Sequence, residues 1–459
     1  MIDPPTKFTD HMRLTACLIL MALLWTSCTL TRRTAGAART HLLRDTTLAQ
    51  AHVGIALFDP ADGRWLYRHQ ADRFFVPASN TKIITCYAAM KHLGDSLDGI
   101  EWQDLDTAIY LWPTGDPTLL HTDYKSHRVA DFLRTTDKPL RLVTDAWKTT
   151  PLGSGWSWDD YSAYYMAERS PLPVYGNVIR WTQSVGRKEQ PTHPGDTMDI
   201  FITSEPEVDW PVDFTAPDPR GRFSVDRERD ANRYIITEGR RDGEMLEVPF
   251  VTRVSDAALQ LLRDTLHRDI YPVKDVPRSS VSRERYVVRS RPLDSMLRPL
   301  MLRSDNFYAE QTLLMTARKI TGRFSEGEAT DQLLKTTFAG MPHRPRWADG
   351  SGLSRYNLFT PADFVWVLDR MRADFGLERV QGIFPTPGTG TLRSYGPDLT
   401  GRIYAKTGTL SGVVALSGFV RADSGRWLIF SMLVNNHRGS AADIRKQFEV
   451  YLREVMKIY

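Results

Sequence analysis

A serine followed three positions later by a lysine, just ahead of an apolar run, restricts this chain more than any other feature. The stretch is Pro77-Ala78-Ser79-Asn80-Thr81-Lys82, and it leads into Ile83-Ile84-Thr85-Cys86-Tyr87-Ala88-Ala89-Met90. The run predicts a mostly apolar helix with Ser79 at its N-terminal end and Lys82 one turn on, on the same face. A serine hydroxyl is inert near neutral pH unless a neighbouring base takes its proton. A lysine serves as that base when burial or a nearby cation lowers its pKa. The helix N-terminus also aims backbone N–H groups at an oxyanion formed on an attacked carbonyl. On its own the spacing is weak, since roughly one or two S-x-x-K strings arise by chance in a chain this long. The plain alternative is a capped helix with a solvated lysine.

Two later stretches change that balance. Ser304-Asp305-Asn306 is an S-x-N tripeptide inside Leu293 to Leu314, where the apolar residues recur at helical spacing on either side. Lys406-Thr407-Gly408-Thr409 follows the strand-like Ile403-Tyr404-Ala405. S-x-x-K, S-x-N and K-T-G in that order form the signature set of penicillin-binding proteins and serine β-lactamases.

The chain resembles one group within that set, the peptidase S13 family of D-alanyl-D-alanine carboxypeptidases and endopeptidases, of the penicillin-binding protein 4 type. Further stretches carry the resemblance. They are Gly115-Asp116-Pro117-Thr118-Leu119, Gly155-Trp156-Ser157-Trp158-Asp159-Asp160, the run from Asp349 to Leu358, and Asn435-Asn436-His437. The match extends from about residue 45 to the C-terminus.

The resemblance implies an α/β (α+β) fold of the penicillin-binding-protein and serine β-lactamase type. Its transpeptidase domain is an antiparallel sheet flanked by helices, interrupted between S-x-x-K and S-x-N by a large, mostly β insertion. The domains expected are a signal or lipoprotein segment over 1–28, a peptidase domain over 38–99 and 255–459, and an inserted region over 100–254, as two small domains. The implied activity is serine D-Ala-D-Ala carboxypeptidase or endopeptidase action on peptidoglycan stem peptides, through an acyl-enzyme on Ser79 that β-lactams also form. Lys82 would accept the serine proton, and the N–H groups of Ser79 and Thr409 would form the oxyanion hole. Ser304 would pass a proton to the leaving amine with Lys406 tuning it, and Asn306 would bond the substrate amide. Lys406, Thr407 and Thr409, on the strand with Gly408, would hold the terminal carboxylate. Residues matching Asp160, Tyr165 and Arg355 contact the third stem residue in the family; this chain departs from some members at Ser411, where they carry glutamine. No metal or organic cofactor is required.

Leu14 to Trp25 is apolar and ends at Thr26-Ser27-Cys28. It is short for a bilayer span and, with Arg13 before it, reads as a secretory segment. Met12 offers a second start position. The small residues before Cys28 resemble a lipoprotein cleavage site, with Trp25 standing where leucine is usual. Lipidation of Cys28 is the expectation, and ordinary cleavage or a retained plain anchor are the alternatives. Of three cysteines, only Cys86 lies in the mature domain, where it reads as a small packing residue.

Val53 to Phe58 and Arg64 to Tyr67 predict a hairpin, and Asp256 to Leu266 a helix. Ala415 to Val420 and Trp427 to Val434 predict adjacent antiparallel strands. The chain ends in a helix capped by Ser440, with Ile444, Phe448, Leu452 and Val455 as its apolar stripe.

A net charge of +4 with both signs interspersed argues against a nucleic-acid binder. There is no G-x-S-x-G elbow, H-E-x-x-H pair, metal-ligand spacing or phosphate loop, and His437 reads as shaping a strand end. The partners implied are stem peptides ending D-Ala-D-Ala and β-lactams, with membrane contact only through a lipid on Cys28. A homodimer stays open. Two other readings remain: a β-lactamase-like hydrolase, and an inactive homologue that binds the cell wall.

Overall fold

The computed structural model describes residues 29–105, 107–187, 198–277 and 284–459. Cys28 and the apolar run before it lie outside the described residues. The chain divides into two compact units, one running up to Asn80 and resuming over Leu358–Tyr459, the other Thr81–Asn357.

The first unit is built on a five-stranded antiparallel sheet. Its order is Ile403–Leu410, Val413–Arg421, Trp427–Asn435, His52–Asp59, Arg64–His69. The predicted hairpin and the predicted strand pair are both here. Side chains alternate across the pleat. Ile55 and Leu57 therefore turn to one face, where they share a core with Phe448, Leu452 and Val455 of the C-terminal helix Ala441–Ile458. Gly54 turns to the other face. A Cβ there would stand 2.6 Å from the Phe75 ring and 2.8 Å from Pro361, the first residue of the helix Pro361–Phe375. The predicted stripe of the C-terminal helix is fully buried, each such side chain stabilising the fold by roughly 1.5–3 kcal/mol. Ser440 caps that helix, accepting from the Ala442 N–H at 3.1 Å. A helical segment over 29–38 packs Thr34 and Ala38 inward, and the Thr34 hydroxyl pairs with that of Tyr459 at 2.9 Å.

The second unit begins with the helix Thr81–His92, in which every residue from Thr81 to Met90 is buried. A helix covered all round is a central one, and it packs against Asn306–Thr321. Leu293–Arg303 and Glu326–Lys335 complete this helical part. Cys86 is buried within it.

The rest of the unit is mostly β. A five-stranded sheet runs Ile270–Val273, Leu140–Val143, Ala108–Pro113, Ser96–Leu105, Tyr286–Pro292. Its first three strands pair in parallel and its last three antiparallel. Two three-stranded sheets follow, one around Val178–Arg187 and one around Tyr234–Thr237. The helix Asp256–Leu266 forms as predicted and buries Ala258, Leu261, Leu262 and Leu266. The first and last strands of this region, Ser96–Leu105 and Tyr286–Pro292, are antiparallel neighbours. No helix among the described residues is long and apolar enough to cross a membrane.

Candidate active site

In the first unit Ser79 lies on a single 3-10 turn, Ala78–Asn80, rather than in the α-helix proper, which starts at Thr81. Ala78 has φ +48°. Such backbone costs roughly 1–3 kcal/mol and persists only where its surroundings impose it. Here the surroundings are polar and specific. The Asn435 side chain accepts from Val76 N–H at 2.7 Å and donates to Val76 O at 3.0 Å. The Asn80 amide donates to Ser417 Oγ at 2.8 Å, and that hydroxyl donates to Ser431 Oγ at 2.8 Å.

The K-T-G strand passes close to the same turn. A Cβ on Gly408 would stand 2.7 Å from Pro77 O and 3.1 Å from the Ser79 nitrogen, so only glycine permits this approach. Lys406 is fully buried and donates to Thr407 O at 2.8 Å. The strand pairs with its neighbour without a bulge. Lys406 and Gly408 therefore point to one side and Thr407 and Thr409 to the other. Arg445 of the C-terminal helix donates to Thr409 Oγ1 at 2.6 Å. Ser411 lies in the turn that follows, where the His437 N–H donates to Gly412 O at 3.4 Å. That is the strand-end role expected of His437.

In the second unit Lys82 is fully buried, its Nζ donating to Asn306 Oδ1 at 2.6 Å and to Ser351 O at 2.7 Å. Its pKa is lowered to about 8, chiefly by burial, against the opposing pull of Asp349, Glu310 and Asp305. A buried amine that sheds its proton near neutrality is a competent general base.

Ser304 and Asn306 sit at the junction of two helices, Asn306 as the first residue of the second. Ser304 ends the first in left-handed backbone, φ 62°, and Asp305 caps the second, accepting from Tyr308 N–H at 2.9 Å. Asp123 grips both flanks of this turn. Its carboxylate accepts from Arg303 Nη1 at 2.6 Å, again from Nη2, and from the Tyr308 hydroxyl at 2.9 Å. Asn306 Nδ2 donates to Tyr165 O at 3.0 Å. Asp160 ends the 3-10 turn Trp158–Asp160, and burial first, then the Asp160 charge, push the Tyr165 hydroxyl up from its ordinary pKa. Arg355 is exposed on the loop after Ser354. A cavity of about 270 Å³ opens beside the Ser304 turn, lined in part by Tyr164, Tyr165, Arg180 and Glu247.

Behind Lys82 stands a buried polar lattice. Glu310 Oε1 accepts from Ser351 N–H at 2.7 Å, and Ser351 O is one of the two acceptors for Lys82. Arg169, fully buried, donates to Glu310 at 3.3 Å and to Glu326 at 3.1 Å. Burial first, and then the Asp349 charge, push the Glu310 carboxyl up to about 7. Asp349 organises its loop, accepting from Gly352 and Ser354 N–H at 2.8 and 2.6 Å and from Trp156 Nε1 at 3.0 Å. A Cβ on Gly350 would stand 2.5 Å from Ala309 O, so this loop also needs glycine.

Glu310, Arg169, Asp123 and Arg445 escape the sequence reading. Glu310 alone leaves a trace, being four residues from Asn306 and so on the same helical face. The other three meet their partners only through the fold.

An antiparallel sheet that carries K-T-G, and helices that carry Lys82 and the S-x-N turn, are the elements of the penicillin-binding class of serine acyl-transfer folds. The sequence profile of the D-Ala-D-Ala carboxypeptidase 3 (S13) family matches residues 37–455, and the chain belongs to that family. A D-alanyl-D-alanine carboxypeptidase of Actinomadura sp. (strain R39) is 28% identical over 443 residues, covering 87% of this chain and 80% of the relative. Penicillin binding protein 4 of Haemophilus influenzae superposes with a TM-score of 0.69 at 20% identity, covering 92% of this chain and 99% of that one. The same protein in complex with a β-lactam superposes at 0.63 with 20% identity, covering 90% of this chain and 100% of that one. The chain is thus a serine-type D-Ala-D-Ala carboxypeptidase by family, acting on peptidoglycan.

Proposed function

We propose that the enzyme cleaves stem peptides ending D-Ala-D-Ala through an acyl-enzyme on Ser79. The observation that carries this reading is Lys82. It is buried, held by Asn306 and Ser351 O, with a pKa near 8, and it lies three residues after Ser79. Lys82 takes the serine proton as Ser79 attacks the carbonyl of the penultimate D-Ala. The N–H groups of Ser79 and Thr409 stabilise the oxyanion. Ser304 passes a proton to the departing amine, with the Lys406 charge tuning it, and the C–N bond breaks. Water then hydrolyses the ester and regenerates Ser79. Asn306 bonds the substrate amide, while Asp160, Tyr165 and Arg355 form the contact for the third stem residue. β-Lactams acylate the same serine, as the complex of the Haemophilus protein suggests by likeness of fold.

The protein works outside the cytoplasm, tethered by lipid on Cys28. Residues 29–38 support this start of the mature chain. They are helical, and Thr34 and Ala38 are buried in the first unit, so cleavage much beyond Cys28 would remove packed residues.

The test is labelling with a fluorescent penicillin followed by peptide mapping, alongside assay of D-Ala release from a D-Ala-D-Ala peptide. Labelling confined to the Ser79 peptide and lost in Ser79→Ala is expected. A label on Ser304 or Cys86, or none on folded protein, would overturn the assignment.

A further inference from the structure

Residues 29–43 form one helical run whose two sides differ in chemistry. Thr34, Ala38 and Leu42, spaced by four, are buried, and Ala38 and Leu42 share a core with Phe448, Leu452 and Val455 of the C-terminal helix. The outer side carries Arg32, Arg33 and Arg39, with Arg44 directly after the run, and all four are exposed. Gly36 lies among them, and a Cβ there would meet nothing within 4 Å. This side of the helix is open surface within its unit.

None of the four arginines forms an ion pair among the described residues. The charge of Arg33 reaches Glu454 only at longer range, and that carboxylate is held by Lys457 at 2.9 Å. On the neighbouring helix, by contrast, Arg453 is paired with both Asp398 and Glu449. Like charges crowded on one helix repel each other. A set left without carboxylates of its own suits an anion from outside the chain.

Position identifies that anion. The helix is already formed at Thr29, one residue after the cysteine proposed above to carry lipid. One residue of chain spans at most roughly 3.6 Å, so no slack separates such a lipid from the folded first unit. The helix start, with Arg32 and Arg33, is then held within a Debye length of the headgroups, roughly 8–10 Å. The buried side of the helix is occupied by the C-terminal helix, so the contact is with headgroups and not by insertion into the acyl chains.

We infer that the arginine side of the helix over 29–43 is a docking surface for an anionic phospholipid bilayer, and that it lays the first unit against the membrane instead of leaving it to swing from its anchor. This rests on the tether proposed at Cys28 and deepens it. Basic clusters beside an anchor bind anionic lipid in this way. Each arginine adds roughly fivefold to the ratio of docked to free, and salt removes the effect.

The test uses the full chain with Gly36→Cys as a reporter site carrying a fluorophore. Cys86 is buried away from the reagent, and peptide mapping locates the label. The protein is reconstituted into vesicles of phosphatidylcholine, with or without phosphatidylglycerol, and quenching by neutral acrylamide is read. Quenching is expected to fall severalfold on the anionic vesicles alone and to recover in high salt. Arg32→Gln, Arg33→Gln and Arg39→Gln together should weaken docking more than a hundredfold at roughly fivefold each, so full quenching returns, while Tm and penicillin labelling stay at wild type. The three lysine substitutions at the same positions should keep the shielding. Equal quenching on both vesicles, or shielding that survives in the glutamine variant, would overturn the inference. So would shielding by soluble poly(glycerol phosphate) but not by anionic vesicles, which would assign the arginines to a wall polyanion. Intact-mass analysis tests the tether separately. An N-terminus without lipid refutes the tether alone if the arginine-dependent shielding persists, and both readings if it does not.

Discussion

Lys82 Nζ donates to Asn306 Oδ1 at 2.6 Å. The bond links the helix that follows Ser79 to the first residue of the helix that follows Ser304, over a sequence separation of 224 residues. It also fixes which way the lysine lone pair points once the proton has gone. The amide oxygen of Asn306 is an acceptor only, so a neutral Lys82 must spend one N–H on it and another on Ser351 O.

The pH dependence of acylation should follow Lys82. In the proposed mechanism its neutral form is the base, and its pKa is lowered to about 8. The rate constant for penicillin acylation should rise with pH through a midpoint near that value. Stability should run the same way above it. Between about 8 and the ordinary 10.5 the unfolded chain binds the proton that the folded one has lost, so stability increases with pH across that window. Lys82→Met should lose acylation and also melt lower than wild type at pH 7, since Asn306 Oδ1 and Ser351 O lose their buried donor. Calorimetric melting and stopped-flow acylation check both, and an unchanged Tm would show that the buried amine contributes nothing net to the fold.

Glu310 is expected to set that midpoint. Its carboxylate stands behind Ser351, the residue whose carbonyl holds Lys82. Glu310→Gln removes a negative charge that favours the ammonium, and should move the acylation midpoint down by about one pH unit. The variant should also lose a feature of the stability curve. With the Glu310 carboxyl pushed up to about 7, the folded state holds a proton between 4.5 and 7 that the unfolded state sheds, and stability falls as pH rises through that range. A midpoint that stays put in Glu310→Gln would confine Glu310 to scaffolding.

Asp123 should act on rate through the Ser304 turn. Asp123→Asn leaves the Arg303 and Tyr308 donors with a weaker, neutral acceptor, and the φ 62° backbone of Ser304 loses its outer brace. We expect kcat for peptide hydrolysis to fall roughly ten- to a hundredfold, the scale of a charge-assisted bond, with KM little changed. Asp123→Glu should recover part of the rate. An equal rise in KM would point instead to a damaged binding cleft.

Gly408→Ala tests the closeness of strand and turn. The new methyl would lie 2.7 Å from Pro77 O, well inside contact distance, and the Ser79 turn must shift to admit it. Penicillin labelling should drop by at least tenfold while Tm falls by only a few degrees, about 1–3 kcal/mol of overpacking. Unimpaired labelling would mean that the turn is free to yield.

What the sequence made legible was local. The S-x-x-K, S-x-N and K-T-G strings, the hairpin from Val53, the helix Asp256–Leu266 and the C-terminal stripe each occupy consecutive or regularly spaced positions, and periodicity or spacing exposes them. The 3-10 turn under Ser79 was not legible, because it is imposed by Asn435 and Ser417 from strands more than 300 residues away. Nor was the pairing of Ser96–Leu105 with Tyr286–Pro292, since neither strand carries a mark of the other. The residues that hold the candidate site, Asp123, Arg169 and Arg445, are ordinary surface-type side chains in the sequence. Burial and a single partner give them their meaning.

That strand pair has a consequence of its own. Ser96 lies opposite Pro292, so nearly two hundred residues leave the helical part of their unit and return to it at the same doorway. A segment with its two ends side by side can grow, shrink or be exchanged between lineages without altering the span its flanks must bridge. The ladder between those two strands acts as the hinge-pin of a cassette. Evolution can rewrite the cassette while the helices carrying Lys82 and Asn306 keep their register.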